Sequence, residues 1–126
     1  MRRLPPGAKL LDGGCGQGLW TVAYAQRGFD VTGMDLSRTT IATVQRIFPE
    51  QRFVVGDIRE TGFPDNHFDL YFSWGTFEHF ELGLGGPLRE AYRVVKPGGY
   101  LVITVPFQNP RHLRRLRRDL AQWDDQ

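Results

Sequence analysis

Cysteine is all but missing from this chain. Cys15 is the only one, so no internal disulfide can form, and a cytoplasmic location is the expectation. Long apolar runs are missing too, and nothing approaches the roughly 20 residues of a membrane span. Met1-Arg2-Arg3 leads into Pro5-Pro6-Gly7 and not into the apolar core of a signal peptide. There is no internal repeat and no low-complexity segment. Charge imbalance is also scarce. Residues 1–110 hold 11 basic and 11 acidic side chains, and a neutral body argues against a broad nucleic-acid footprint. The surplus sits in the last 16 residues, where five arginines face Asp119, Asp124 and Asp125.

Glycine is what the chain does have, and it is concentrated in one place. With 126 residues and 40% hydrophobic side chains there is enough for one core. The apolar run Leu10-Leu11 ends in Asp12-Gly13-Gly14-Cys15-Gly16-Gln17-Gly18, and a helix-like pattern starts at once with Leu19-Trp20-Thr21-Val22. Glycines at that density let backbone N–H groups approach a ligand closely and permit positive φ. A strand, a Gly-rich turn and a helix in series is how open α/β sheets build a nucleotide-type site. The dinucleotide fingerprint needs a third glycine where Leu19 stands, so an oxidoreductase of that type is disfavoured. A Walker loop is excluded because no Gly-Lys-Ser/Thr follows.

Strand and helix patterns alternate along the body. Strands are expected at Lys9–Asp12, Phe29–Met34, Phe53–Val55, Phe68–Ser73 and Tyr100–Val105. Helices are expected at Leu19–Arg27 (stopped by Gly28), Arg38–Phe48 (capped by Ser37, ended by Pro49) and Pro87–Val95. Pro64-Asp65-Asn66 and Pro97-Gly98-Gly99 read as turns. Alternation of this kind implies parallel strands joined by right-handed crossovers.

Several residues at the expected strand ends carry chemistry. Asp35 can accept both ribose hydroxyls of a nucleoside, with Gly33 leaving room for the sugar; the plainer reading is helix-dipole complementation. Asp57 can accept from an adenine amino group, or can simply bond its own turn. Asp12 either braces the loop or faces a cationic ligand, and both can hold at once. Cys15 has no evident His or Lys partner and reads as a small loop-lining side chain, not a nucleophile. Backbone groups of Ser73 and Trp74 are candidates for the amino-acid part of a ligand, and the Trp74 ring for that or for packing. Glu78 and His79 are candidates for touching a second substrate, or a surface pair. Asp69 reads as structural.

Asp12–Gly18, Asp35, Gly56-Asp57, Phe68-Asp69 through Glu78-His79, and Leu88 through Gly99 follow one another with the order and spacing of a known pattern. The chain resembles class I S-adenosylmethionine (SAM)-dependent methyltransferases, most of all the small-molecule branch related to ubiquinone and menaquinone biosynthesis. The resemblance covers about residues 6–106 and implies a Rossmann-like, doubly wound, mostly parallel α/β sheet. It implies SAM contacts from Asp12, Gly13, Gly14, Cys15, Gly16 and Gly18, with ribose on Asp35 beside Leu36. Adenine would lie near Gly56, Asp57 and Ile58, and the methionine end near Ser73 and Trp74. The turn Lys96–Gly99 would be architectural. No metal is expected.

The implied reaction is methyl transfer from SAM to a small-molecule acceptor. Its electrophile arrives activated, so alignment is the main task, and a base is needed only for an acceptor that must lose a proton. His79 is the first candidate for that base. The family's full domain has seven strands in order 3-2-1-4-5-7-6 and a covering helix before the first. Here about five strands in order 3-2-1-4-5 are expected, without the last two strands or that helix. Tyr100–Val105 would then be an apolar edge strand needing cover from a second copy, a partner chain, the tail or further sequence missing from this chain. The alternative function is a non-catalytic SAM-binding module or partner subunit. Residues 1–110 read as the SAM-binding core and 111–126 as a basic amphipathic helix with Leu113, Leu116, Leu120 and Trp123 on one face. That helix is a candidate to dock on the sheet, to lie on an anionic membrane through Arg111–Trp123, or to touch nucleic acid.

Overall fold

Parallel pairing puts the carboxyl ends of all five strands on one edge of a single sheet, and the loops of interest lie there. The computed structural model describes residues 4–74 and 85–104. The order along the chain is β1 (Lys9–Gly13), α1 (Leu19–Gln26), β2 (Asp30–Asp35), α2 (Arg38–Ile47), β3 (Arg52–Val55), β4 (Phe68–Trp74), α3 (Gly85–Val94) and β5 (Val95–Thr104). The strands lie in the order β3-β2-β1-β4-β5, the order that the family resemblance implies. Glu78, His79, Val105 and the segment from Arg111 to Gln126 lie outside the described residues.

Side-chain alternation sorts the core onto the two faces of the sheet. Leu10, Val31, Leu70 and Phe72 face α1, where Tyr24 and Ala25 meet them. Leu11, Met34, Phe68 and Tyr71 pack with Leu88, Ala91 and Val94 of α3. Cys15, Ile41, Val44 and Phe53 form a third cluster under α2.

The helix ends are set by local chemistry. Ser37 caps α2, its Oγ accepting from Thr40 N at 3.1 Å. α1 starts behind Gly18, which carries φ +78° and no side-chain cap, and it is followed by Gly28 at φ +95°.

One expectation is corrected. Lys96-Pro97-Gly98-Gly99 does not separate α3 from β5. The strand starts at Val95, and the four residues bulge out of it, since Phe68 pairs with Val95 and Leu70 already with Tyr100. Pro97 cannot donate to a ladder, and an edge strand with a bulge is where a sheet tolerates it. Gly98 supplies the positive φ of +80°. Among the described residues β3 and β5 are the edges, and no helix is long and apolar enough to cross a membrane.

Candidate functional site

The loop after β1 is folded back onto the tip of β2. Gly14 N and Cys15 N both donate to the Met34 carbonyl, at 2.8 and 2.9 Å. Gly16 N then donates to Asp35 Oδ2 at 3.0 Å, and Ser37 N to Asp35 Oδ1 at 2.9 Å. Gly56 N, at the start of the loop after β3, donates to the Asp35 carbonyl at 3.0 Å. Asp35 therefore joins the tips of three strands. Gly14, Gly16 and Gly18 have φ of +79°, +53° and +78°, a conformation that L side chains rarely adopt. Their surroundings differ. A Cβ on Gly18 would sit 2.7 Å from the Phe53 ring, whereas one on Gly16 would meet nothing within 4 Å. The loop is seated on Phe53 at one end and open in its middle.

Beneath the loop, Asp12 is 2% exposed and accepts from Thr21 Oγ1 at 2.8 Å. Burial raises its carboxyl to about 6, and the neighbouring Asp35 charge acts in the same direction. Burial also pushes the Cys15 thiol up to about 12, so it stays protonated, which disfavours a nucleophilic role. Ser73 Oγ donates to the Gly13 carbonyl at 2.7 Å and clamps the tip of β4 to that of β1. Gly13 is needed there because a Cβ would run into the Tyr71 side chain, with Cζ at 2.7 Å.

Other expected contacts are arranged differently. Asp57 is gripped by its own turn. Arg59 N donates to it at 2.9 Å, and the Arg59 guanidinium binds it from Nε at 3.0 Å and Nη2 at 2.6 Å. The hydrogen bonds from Arg59 hold the Asp57 carboxyl below the usual range. The Ile58 side chain is buried with Leu11, Met34 and Phe68, which leaves its backbone as the part able to meet a ligand. Leu36, by contrast, is 59% exposed beside Asp35. Gly33 does not make room for a sugar. Its missing Cβ makes room for Thr21 Oγ1, 2.7 Å away, and for the Phe53 ring, 2.8 Å away. Asp69 is structural, accepting from Lys9 N at 2.8 Å and Lys96 Nζ at 3.2 Å.

Thr21, Phe53 and Tyr71 support the site and were missed in the sequence. Only glycines in strands pointed to them, Gly33 in β2 to Thr21 and Phe53 and Gly13 at the end of β1 to Tyr71, since a strand glycine marks close approach. Missed as well was the lock between α3 and the loop before β4. There Glu90 accepts from Thr61 N and Oγ1, both at 2.7 Å, and from Arg93 Nε at 2.7 Å. Among the described residues no His, Cys, Asp or Glu group of three or more is placed to hold a metal.

A family model described as a methyltransferase domain matches residues 11–103. The chain is 32% identical over 99 residues to malonyl-[acyl-carrier protein] O-methyltransferase of Serratia marcescens, covering 79% of this chain and 38% of that protein. It is 36% identical over 106 residues to demethylmenaquinone methyltransferase of Renibacterium salmoninarum, covering 83% and 44%. The chain thus spans less than half the length of these curated relatives. The crystal structure of a TehB-like SAM-dependent methyltransferase from Corynebacterium glutamicum superposes with a TM-score of 0.76 at 33% identity, over 92% of this chain and 66% of that one. With a family match running from the first strand into the fifth, the chain belongs to the class I SAM-dependent methyltransferase domains.

Proposed function

We propose that this chain binds SAM along its strand tips and transfers the methyl group to a small-molecule acceptor. Asp35 is the observation that carries this reading. Its carboxylate takes the Gly16 and Ser37 amides and its carbonyl takes the Gly56 amide, so one acid stands where three strand tips meet. Each carboxylate oxygen has two lone pairs, so accepting capacity remains for two ribose hydroxyls.

The residues fit the cofactor. The open middle of the loop at Gly16 admits close backbone approach. Asp12 has no ion pair among the described residues, and an ammonium and a sulfonium are the charges a buried carboxylate attracts. Leu36 offers apolar surface to a flat base. Asp57 fits less simply, because an adenine amino group has to share it with Arg59, or else the base is met by the main chain of Gly56–Ile58. Ser73 and Trp74 at the β4 tip are the proposed neighbours of the methionine end.

When bound, SAM supplies a methyl whose carbon–sulfur bond breaks as the acceptor atom bonds to carbon, the electron pair passing to sulfur. The chain's residues orient donor and acceptor and keep Cys15 protonated and out of the reaction. If the acceptor must lose a proton, Glu78 and His79 are the candidates to take it. A lone cysteine suits a reducing compartment such as the cytoplasm.

Calorimetry with SAM, S-adenosylhomocysteine and NAD tests the cofactor. Label transfer to a panel that includes demethylmenaquinone and malonyl-[acyl-carrier protein], the substrates in the relatives' names, tests the reaction. Binding of SAM but not NAD, with label in any acceptor, supports the proposal, and NAD binding without SAM overturns it. A second reading, a SAM-binding subunit completed by a partner, is favoured by β5, which is an edge strand among the described residues, with Leu101 36% exposed. It requires SAM binding without label transfer until the partner or a second copy is supplied.

A further inference from the structure

The crossover from β3 to β4 carries the proposed base-binding turn without a helix to hold it. Residues 56–67 separate the two strands, and no helix falls between them. Parallel strands are more often joined through a helix, whose own hydrogen bonds fix the chain. Within this crossover Asp57–Glu60 closes on itself. Glu60 N donates to the Asp57 carbonyl at 3.0 Å, and Arg59 grips the Asp57 carboxylate. The turn is thus a small unit of its own. Glycines flank it, Gly56 on one side and Gly62, at φ +80°, on the other. Left unpinned, such flanks let a turn swing.

Both flanks are pinned. On the β3 side the Gly56 amide is bonded to the Asp35 carbonyl. On the other side the pin comes from α3. Thr61 sends its amide and its hydroxyl to the same Glu90 oxygen, Oε2, each at 2.7 Å. Arg93 Nε holds Oε1 at 2.7 Å, and Arg93 Nη2 donates to Oε2 at 2.9 Å and to the Phe63 carbonyl at 2.7 Å. The Ile58 side chain lies in one buried cluster with Leu88, Ala91 and Val94 of α3. The helix therefore holds the turn by apolar contact at Ile58 and by hydrogen bonds to a carboxylate at Thr61, which are among the stronger kinds. One bond would keep Thr61 near α3. Two from the same residue fix its orientation as well.

We infer that Glu90 is a positioning residue for base selection: through Thr61 it sets the place of the turn Gly56–Glu60, so that the turn matches adenine and not a purine with the reversed hydrogen-bond pattern. The inference rests on the SAM-binding reading above and deepens it. Adenine offers an amino donor beside a ring nitrogen that accepts. Hypoxanthine offers an oxygen and a ring N–H in the same two places. A backbone N–H with an acceptor beside it tells the two apart, provided both stay within about 0.5 Å of their places at the base edge. A turn released from Glu90 can move by that much about Gly56 and Gly62. Discrimination then falls, while the contacts proposed for Asp35 and Leu36 are kept.

The test is calorimetry on the full chain with S-adenosylhomocysteine and S-inosylhomocysteine, which differ only at that base edge. The unmodified chain is expected to prefer the adenine ligand about tenfold or more. Glu90→Gln keeps one accepting oxygen and sets an NH2 donor against the donors of either Thr61 or Arg93. It should cut the preference to about threefold or less, with the loss falling on S-adenosylhomocysteine. Thr61→Val, which removes the hydroxyl but keeps the shape and the amide, should shift the ratio the same way and less far. Thr61→Ser should keep the full preference. A lock that served stability alone would weaken both ligands alike and leave their ratio where it was. An unchanged ratio in Glu90→Gln, or in Thr61→Val should the first variant not fold, overturns the inference. So does an unmodified chain that binds the two ligands equally. Failure of S-adenosylhomocysteine to bind the unmodified chain overturns the SAM-binding reading instead, so the two failures are told apart in one experiment.

Discussion

Asp12 and Thr21 are joined by a 2.8 Å hydrogen bond that closes the strand–loop–helix unit from below. The acid ends the apolar run of β1, the hydroxyl comes from the first turns of α1, and both are buried. A glycine loop between them would otherwise be free to splay. The hydroxyl only partly offsets the burial of the carboxylate, which stays high in energy at neutral pH until a cation approaches.

Asp12→Asn should therefore stabilise the free chain and weaken its cofactor binding. The folded value of about 6 lies above the ordinary 3.8, so the stabilising contribution of Asp12 is present below about pH 4 and lost as pH rises to 6. The difference corresponds to roughly 3 kcal/mol. Thermal melts of both proteins at pH 4 and pH 7 check this, with a gain for the variant expected only at pH 7. In the unmodified chain SAM affinity should rise between pH 5 and 7, and a flat profile would remove Asp12 from contact with the cation.

Asp35→Asn loses one hydrogen bond, because its amide keeps one accepting oxygen and sets an NH2 donor against the N–H of either Gly16 or Ser37. Loss of a charge-assisted pair costs about 1–3 kcal/mol. S-adenosylhomocysteine affinity should fall by roughly 10- to 100-fold on that account. Calorimetry measures it, and limited proteolysis should cut faster between Gly14 and Gly18.

Gly16→Ala and Gly18→Ala separate loop strain from packing. Both replacements put a Cβ at positive φ, which costs about 1–2 kcal/mol. Only Gly18→Ala also drives a methyl into the Phe53 ring, adding roughly 1–3 kcal/mol of overpacking. Denaturant melts should rank Gly18→Ala well below Gly16→Ala. S-adenosylhomocysteine binding should nevertheless be lost in the folded Gly16→Ala protein, whose new methyl stands in the open middle of the loop.

The frame of the molecule was legible because its signals are local. Ser37 caps α2, Gly28 follows α1, and the glycines at 14, 16 and 18 sit at positive φ as their spacing suggests. The strand order came with the family resemblance. What stayed hidden depends on residues distant in sequence. No local pattern says that Gly33 yields its space to Thr21 and Phe53, or that Arg59 grips Asp57. The bulge at Pro97 was read as a turn because the two look alike in composition. They differ only in whether the chain resumes the same ladder, which requires the position of β4.

The lock at Glu90 gives the last prediction, and its sign is opposite to that of Asp12. Arg93 and Thr61 hold the Glu90 carboxyl at about 2, below the ordinary 4.5, so its contribution is full above pH 4.5 and is lost as pH falls towards 2. The Glu90 side chain is 10% exposed, but Arg93 is 37% exposed, so solvent screening trims the effect to about 2–3 kcal/mol. Stability gained up to pH 4.5 from Glu90 and lost from pH 4 upward through Asp12 puts a maximum between pH 4 and 5. Urea denaturation from pH 2.5 to 8 should find that maximum in the unmodified chain. Glu90→Gln should make the acid limb shallower, leaving the part that Asp57 and Asp69 supply, and Asp12→Asn should flatten the neutral limb. A double variant with no maximum would establish that these two carboxyls shape the profile, whereas an unchanged acid limb in Glu90→Gln would mean the lock between α3 and the loop before β4 contributes nothing to stability.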